Sequence, residues 1–364
     1  MEVGLLTTSF PRFEGDCSGA FLLTLSRRLV EHGHTVRVLA PEPRRSRPPP
    51  EWPGIEVRWV PYARPRALQQ TFYGSGVPDN LRKRPARWAG AVSFGAALYR
   101  ASLQELDSCD GVVSSWCVPS GWIASSIAQG RPHLCICHAT DVRWLCSMPG
   151  GRAVARRIVA GATSMWFLSA RLRDRFFERA ELEPLCMSTH VGPMPIDLPE
   201  PPMLSRSELR RQLGIDGFTL LFMGRLIRVK GLDELLRAIA DLPDPVRIRI
   251  AGDGLESNSL RTLARDLQIE ATFEGWVTGA RKEALLRACD ALVVPSRAEE
   301  GLPTVLYEAQ ARALPIIATD AGAISDSMQG RRDVLLVPVQ DRAALGRAIR
   351  QLRAQRENEA VLRD

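Results

Sequence analysis

Short apolar runs alternate along the chain with stretches in which apolar residues return every three or four positions. Val3-Gly4-Leu5-Leu6 is followed by a loop from Thr7 to Ser18. Phe21, Leu22, Leu25 and Leu29 then recur at helical spacing as far as Gly33, and Thr35–Leu39 reads as the next strand. Strand, loop, helix, strand is the rhythm of a βαβ unit in a parallel sheet. Further apolar runs at Gly111–Ser115 and Leu134–Cys137 continue it. The rhythm breaks at Gly192–Pro202, where five prolines fall in eleven residues. Proline blocks both helix and sheet ladders, so this segment predicts an interdomain linker.

Beyond the linker the pattern restarts. Phe218–Met223 predicts a strand, Gly224–Gly231 a loop and Leu232–Ala240 a helix. Strands follow at Val246–Ile250, Thr272–Phe273, Ala291–Pro295 and Pro315–Thr319. Helices are expected around Leu260–Leu267 and at Lys282–Ala288, Thr304–Ala313 and Asp341–Arg353. The expectation is α/β: two doubly wound parallel-sheet domains, residues 1–196 and 197–364, with a cleft between them. In such sheets ligands bind outside the carboxyl ends of the strands.

Composition changes this picture mainly by exclusion. The 364 residues are 45% hydrophobic and 24% charged, as in soluble globular proteins. The longest uncharged run, Gly111 to Gly130, is broken by Pro119 and several serines, so no membrane-spanning helix is expected. Met1-Glu2 opens the chain without a basic segment and apolar core, so no signal peptide is read there. The expected setting is cytoplasmic, with association at a membrane surface left open. The eight cysteines form no CxxC pair, which predicts reduced thiols and no zinc site.

Charge is more informative. The net +7 comes from 48 basic and 41 acidic residues, and only three of the basic ones are lysines: Lys83, Lys230 and Lys282. Residues 1–197 hold 24 basic and 17 acidic residues, while residues 198–364 hold 24 of each. The entire excess therefore lies in the first half. It fits phosphates, an anionic membrane surface or nucleic acid. No nucleic-acid recognition module accompanies it, so nucleic acid is set aside. Asn80–Trp88 joins four cations to a tryptophan before the uncharged stretch Ala89–Tyr99, and an anionic membrane contact and a plain solvated loop remain equal readings of it.

The candidate chemistry sits in loops after strands of the second half. In Gly224-Arg225-Leu-Ile-Arg-Val-Lys230-Gly231, two cations five apart flank the start of a helix, an arrangement suited to a diphosphate. Glu300-Gly301-Leu302-Pro303-Thr304 leads into a second helix carrying Glu308. Backbone amides near Leu302–Thr304 suit a phosphate, and a carboxylate one turn into the helix can accept bonds from a ribose diol. No Asp-x-Asp occurs, so no metal and no other cofactor is expected. Departure of the phosphate would then depend on Arg, Lys and backbone amides.

These segments resemble the retaining glycosyltransferases of family 4, which have the GT-B fold. Besides 224–231 and 300–309, the matches are Ala251-Gly-Asp-Gly254, Phe273-Glu-Gly-Trp-Val277, Val294-Pro-Ser296 and Leu314–Gly322. In the first half they are Thr8–Asp16, Gly33-His-Thr-Val36, Trp116–Gly121 and His138-Ala-Thr-Asp-Val142. The resemblance implies that Arg225 and Lys230 bind the donor diphosphate and that Glu308 holds the ribose. It implies Glu300 against the donor sugar, the base beside Gly252–Gly254 and Val277, and Gly15 approaching the diphosphate from the other domain. His138 would hydrogen-bond the donor sugar, with Asp16 and Asp141 on the acceptor side. The implied reaction moves a hexose from a UDP- or GDP-sugar, with retention, to a glycan or lipid-linked acceptor. Two departures stand out: Pro195 replaces the linker's usual glycine, and the further helix that commonly returns to the first domain does not follow Asp364. The rival expectations are a catalytically silent scaffold subunit and a nucleotide-sugar 2-epimerase on a similar architecture.

Overall fold

The computed structural model describes residues 1–16, 18–44, 50–73, 77, 80–81, 84, 86–198, 203–297 and 303–361. The chain divides into two compact units, Met1–Asp197 and Leu198–Asp364.

The first unit is built on a seven-stranded parallel sheet in the order β3-β2-β1-β4-β5-β6-β7. Its strands are β1 (Glu2–Leu6), β2 (Thr35–Pro41), β3 (Ile55–Val60), β4 (Gly111–Ser115), β5 (His133–Cys137), β6 (Ser164–Phe167) and β7 (Ser188–Val191). Among the described residues six α-helices cross between them: α1 (Ala20–Glu31), α2 (Arg87–Glu105), α3 (Trp122–Ile127), α4 (Ala139–Ser147), α5 (Gly151–Gly161) and α6 (Ala170–Ala180). β4 is buried along its whole length, whereas edge strand β3 alternates between covered and open positions. Helices on both faces of a parallel sheet explain this: central strands must be apolar throughout, and only the edges can afford polar positions.

The second unit repeats the plan with six parallel strands in the order β10-β9-β8-β11-β12-β13. These are β8 (Thr219–Met223), β9 (Arg247–Ala251), β10 (Ala271–Gly275), β11 (Ala291–Val294), β12 (Ile316–Thr319) and β13 (Val334–Val337). The sheet order steps outward from β8 to one edge and then from β11 to the other. The topological switch between β8 and β11 is where such folds bind ligands. The helices are α7 (Arg206–Leu213), α8 (Leu232–Ala240), α9 (Ser257–Asp266), α10 (Gly279–Ala288), α11 (Thr304–Ala311), α12 (Ala323–Met328) and α13 (Arg342–Val361).

Arginine is the main polar mortar of this unit. Asp290 is nearly buried and accepts from Arg206, Arg210 and the backbone N–H of Thr219. Glu274 likewise takes Arg249 and Arg281. The equal numbers of acids and bases in this half thus reflect pairing inside the fold. In the first unit, Asp197 accepts from Thr24 of α1 at 2.9 Å, which ties the proline-rich segment to that helix. Cys109, Cys117, Cys135, Cys137 and Cys289 are buried free thiols. Among the described residues no helix is long and apolar enough to cross a membrane.

Candidate active site

Three loops at the carboxyl ends of β8, β9 and β10 are joined backbone to backbone. The N–H of Gly224 donates to Ala251, that of Leu226 to Asp253, and that of Gly252 to Gly275. The approach is close enough to require glycine. Gly252 has φ +146°, and a Cβ there would meet the Gly224 carbonyl oxygen at 1.9 Å. A Cβ on Gly254 would lie 2.3 Å from the Leu226 oxygen. The two glycines expected beside the nucleotide base therefore have a prior task, which is to seat the 224–231 loop on the sheet. Val277, expected beside the same base, is half-buried against the core; its neighbour Trp276 is exposed.

Arg225 lies in this loop and Lys230 in the 3-10 turn Arg228–Lys230, so both cations precede α8. Gly231, at φ +67°, closes the turn against the β11 loop, and its absent Cβ leaves room for the Pro295 oxygen. The Arg297 N–H donates to the Val229 oxygen at 2.8 Å, binding the loops after β8 and β11 together. The Arg297 side chain caps the arrangement by pairing with Asp233 at 2.6 Å, in the first turn of α8.

Pro303 and Thr304 open α11. Glu300, Gly301 and Leu302, expected against the donor sugar and phosphate, lie outside the described residues. Glu308 is one turn into α11 and 6% exposed. Its Oε1 accepts from Lys282 Nζ of α10 at 2.7 Å. One step along each helix pair, Glu283 of α10 accepts from Arg312 just past α11. Two ion pairs of opposite polarity thus fix α10 against α11 and set the direction of the Glu308 carboxylate. Lys282 is the residue missed by sequence reasoning. Its signal was compositional: in a chain of 45 arginines, two of the three lysines lie in this unit, one in the cationic loop and one on the acidic helix residue.

The first unit gives its candidates firm structural roles. His138 is the N-cap of α4 and shares a capping box with Asp141: the ring accepts from the Asp141 N–H, and the carboxylate accepts from the His138 N–H at 2.8 Å. His138 Nε2 lies 3.0 Å from Ser115 Oγ, and the ring rests between Trp116 and Phe21. Burial pushes its pKa down to about 4, so the imidazole is neutral at pH 7. Asp141 also accepts from the N–H groups of Cys117 and Val142. Burial outweighs these bonds and pushes its carboxyl up to about 6. In this structure the pair shapes the turn after β5. A sugar hydroxyl would reach Nε2 only by competing with Ser115.

Asp16 is buried and holds Arg12 through both oxygens, at 2.6 and 3.1 Å. Burial raises its pKa, but Arg12 and the N–H groups that it accepts outweigh this and leave it below the usual carboxylate value. Gly15, in the same loop, is exposed with φ +82°. Gly19 is a further residue the sequence reading passed over. It has φ +72°, and a Cβ there would strike the Ser9 oxygen at 2.4 Å, so it lets this loop fold onto the start of α1. Among the described residues no group of His, Cys, Asp and Glu is placed to hold a metal.

Comparison with known proteins fits this geometry. Residues 217–355 match the family model "Glycosyl transferases group 1", and residues 18–184 match "Glycosyl transferase 4-like domain". The chain belongs to the group 1, family 4-like glycosyltransferases. Among the relatives of this glycosyltransferase is one from Bacillus subtilis strain 168 named for teichuronic acid biosynthesis. The two are 28% identical over 368 residues, covering 96% of this chain and 88% of that one. A GDP-mannose-dependent α-(1-6)-phosphatidylinositol monomannoside mannosyltransferase of Mycobacterium tuberculosis is 29% identical over 213 residues, 55% of this chain and 54% of its own. Of solved structures, sucrose-phosphate synthase from Thermosynechococcus elongatus aligns with a TM-score of 0.73 at 19% identity, covering 97% of this chain and 90% of that one. That likeness establishes the GT-B fold.

Proposed function

We propose that this glycosyltransferase moves a hexose from a nucleotide-diphosphate sugar, UDP- or GDP-linked, to a glycan or lipid-linked acceptor. The transfer retains configuration, needs no metal, and serves cell-surface polysaccharide or glycolipid synthesis. The observation that carries the reading is the second unit's ligand end. A cationic loop after β8 is bound to the loop after β11, and a carboxylate at the start of α11 is held in a fixed direction by a lysine. Arg225 and Lys230 supply positive charge for the diphosphate, whose negative charge grows as the glycosidic bond breaks. Glu308 accepts from the ribose hydroxyls. Retention is assigned to front-face attack, in which the departing phosphate takes the acceptor proton. The relatives' names support the class of acceptor.

The same proposal places the first unit against an anionic membrane. Helix α2 buries Phe94, Leu98 and Ser102 on one side and exposes Trp88, Val92, Tyr99 and Leu103 on another. At about 100° per residue these four lie within an arc of roughly 60°. Trp88 stacks on Trp144 with centroids 5.8 Å apart. Arg84 and Arg100 are exposed near the ends of this stripe, in a unit carrying the whole +7. An apolar stripe flanked by arginine fits an interface rich in anionic lipid. Arg82 and Lys83 of the basic segment lie outside the described residues.

Thermal stabilisation and slow donor hydrolysis, screened across UDP-, GDP- and ADP-sugars, test the reading. One donor family is expected to raise the melting temperature, and Lys230→Ala or Glu308→Ala is expected to abolish the rise. A wild-type protein indifferent to every donor would leave a silent scaffold instead. For the membrane contact, sedimentation with anionic but not neutral vesicles is expected, and equal binding to both refutes it.

A further inference from the structure

The first unit contains a cavity of about 560 Å³ walled by the loop after β1, the end of β2, the segment after β3 and the start of α2. Its described lining residues include three arginines, Arg12, Arg44 and Arg87, together with three carboxamides and three aromatic rings, and none of these described residues is a carboxylate. Among the described residues Arg87 donates to neutral oxygens: Asn80 Oδ1 at 3.1 Å, the Asn80 carbonyl at 3.4 Å, and Gln70 Oε1 at 3.2 Å. Its Nε is buried with no hydrogen-bond partner among the described residues. Arg12 lies over the Tyr73 ring, 4.7 Å from its centroid, and is oriented by its paired bonds to Asp16. Arg44 stands exposed at the rim.

We infer that this cavity binds an anionic sugar unit of the acceptor, one bearing a carboxylate or a phosphate. The chemistry is specific in three respects. A guanidinium presents a planar fork that meets either anion with paired hydrogen bonds. Carboxamides both donate and accept, which suits ring hydroxyls. Aromatic rings offer apolar faces for the sugar's C–H surface. The volume is that of a small-ligand pocket and fits one or two sugar rings. The inference rests on the glycosyltransferase reading above and gives it an acceptor class, which the family fold leaves open.

The test uses the full chain and reads the two levels separately. Binding of glucuronate, glucose 6-phosphate, glucose and inorganic phosphate is measured by titration calorimetry and saturation-transfer NMR, with donor-induced stabilisation followed in parallel. We expect one or both anionic sugars to bind at least 10-fold more tightly than glucose and than inorganic phosphate. The two anionic arms decide between a carboxylate and a phosphate. Arg87→Gln and Arg44→Gln are each expected to weaken that binding several-fold while donor stabilisation persists. Arg44 is exposed, so its substitution spares the fold if Arg87→Gln does not. Equal binding of glucose, or of inorganic phosphate, overturns the inference. So does wild-type affinity in Arg44→Gln, whether or not Arg87→Gln folds. Loss of every donor response with anionic-sugar binding intact would instead overturn the donor reading alone.

Discussion

Asp141 and Glu308 are both buried carboxylates near the start of a helix, and the two units use them in opposite ways. Asp141 accepts from three backbone N–H donors. Its bonds shape the β5–α4 turn, and burial pushes its pKa up to about 6. Glu308 is held through one oxygen by a lysine from the neighbouring helix. A carboxylate consumed by backbone amides builds the fold; one steered by a single side chain keeps acceptor capacity for a ligand. An ion pair also holds the charge in place before the ligand arrives, which lowers the reorganisation required on binding.

The sharpest way to break this contrast is to remove a positive charge proposed to face the donor diphosphate. Lys230→Ala is expected to lower kcat by about 10²–10³-fold, a loss of the size seen when one transition-state charge partner is deleted. A loss under tenfold in a steady-state assay would show that the cation is not at the diphosphate.

Lys282→Gln tests the steering role. Removing the partner of a buried carboxylate is expected to destabilise the second unit by about 1–3 kcal/mol. It should also raise the donor KM about tenfold with a smaller change in kcat, since the carboxylate remains but is no longer aimed. Lys282→Arg should restore most of the affinity. Destabilisation without any KM change would reduce Lys282 to a packing residue.

Asp141→Asn supplies the other side of the comparison and the smallest effect. It is expected to lower stability by about 1–3 kcal/mol while leaving donor-induced stabilisation intact. The signs of the two shifted groups give a pH signature. His138 is pushed down to about 4 from 6.5, so the stability it contributes is lost as pH falls from about 6.5 toward 4. Asp141 is pushed up to about 6 from 3.8, so its contribution grows over the same descent. In the wild type the two oppose each other. In Asp141→Asn the melting temperature should fall more steeply between pH 6.5 and 4; an unchanged slope would show that the pair does not titrate as described.

Much of the second unit was legible as sequence. The loop Gly224–Gly231 and the helix Leu232–Ala240 lie where periodicity placed them. Strands β8, β11 and β12 differ from their expected spans by only a residue or two at the ends. Strands β3, β6, β7 and β13 went unread. β7 (Ser188–Val191) shows the physical cause, since a short edge strand with mostly open positions lacks the apolar run that marks a buried one. Helix α2 was hard to read for the opposite reason, being apolar on two faces, one packed and one open.

What the amino-acid order settles alone is local. It places the apolar runs, the helix faces, the glycines that permit loops to touch, and the cations in the loop after β8. These depend on neighbours within a few residues. Tertiary structure alone decided that Lys282 meets Glu308 across 26 residues, that His138 and Asp141 serve a cap, and that Arg12, Arg44 and Arg87 converge on one cavity. Each depends on the register and packing of separate elements. Charge in sequence counts what is present, whereas burial and approach decide which charges are already answered within the fold.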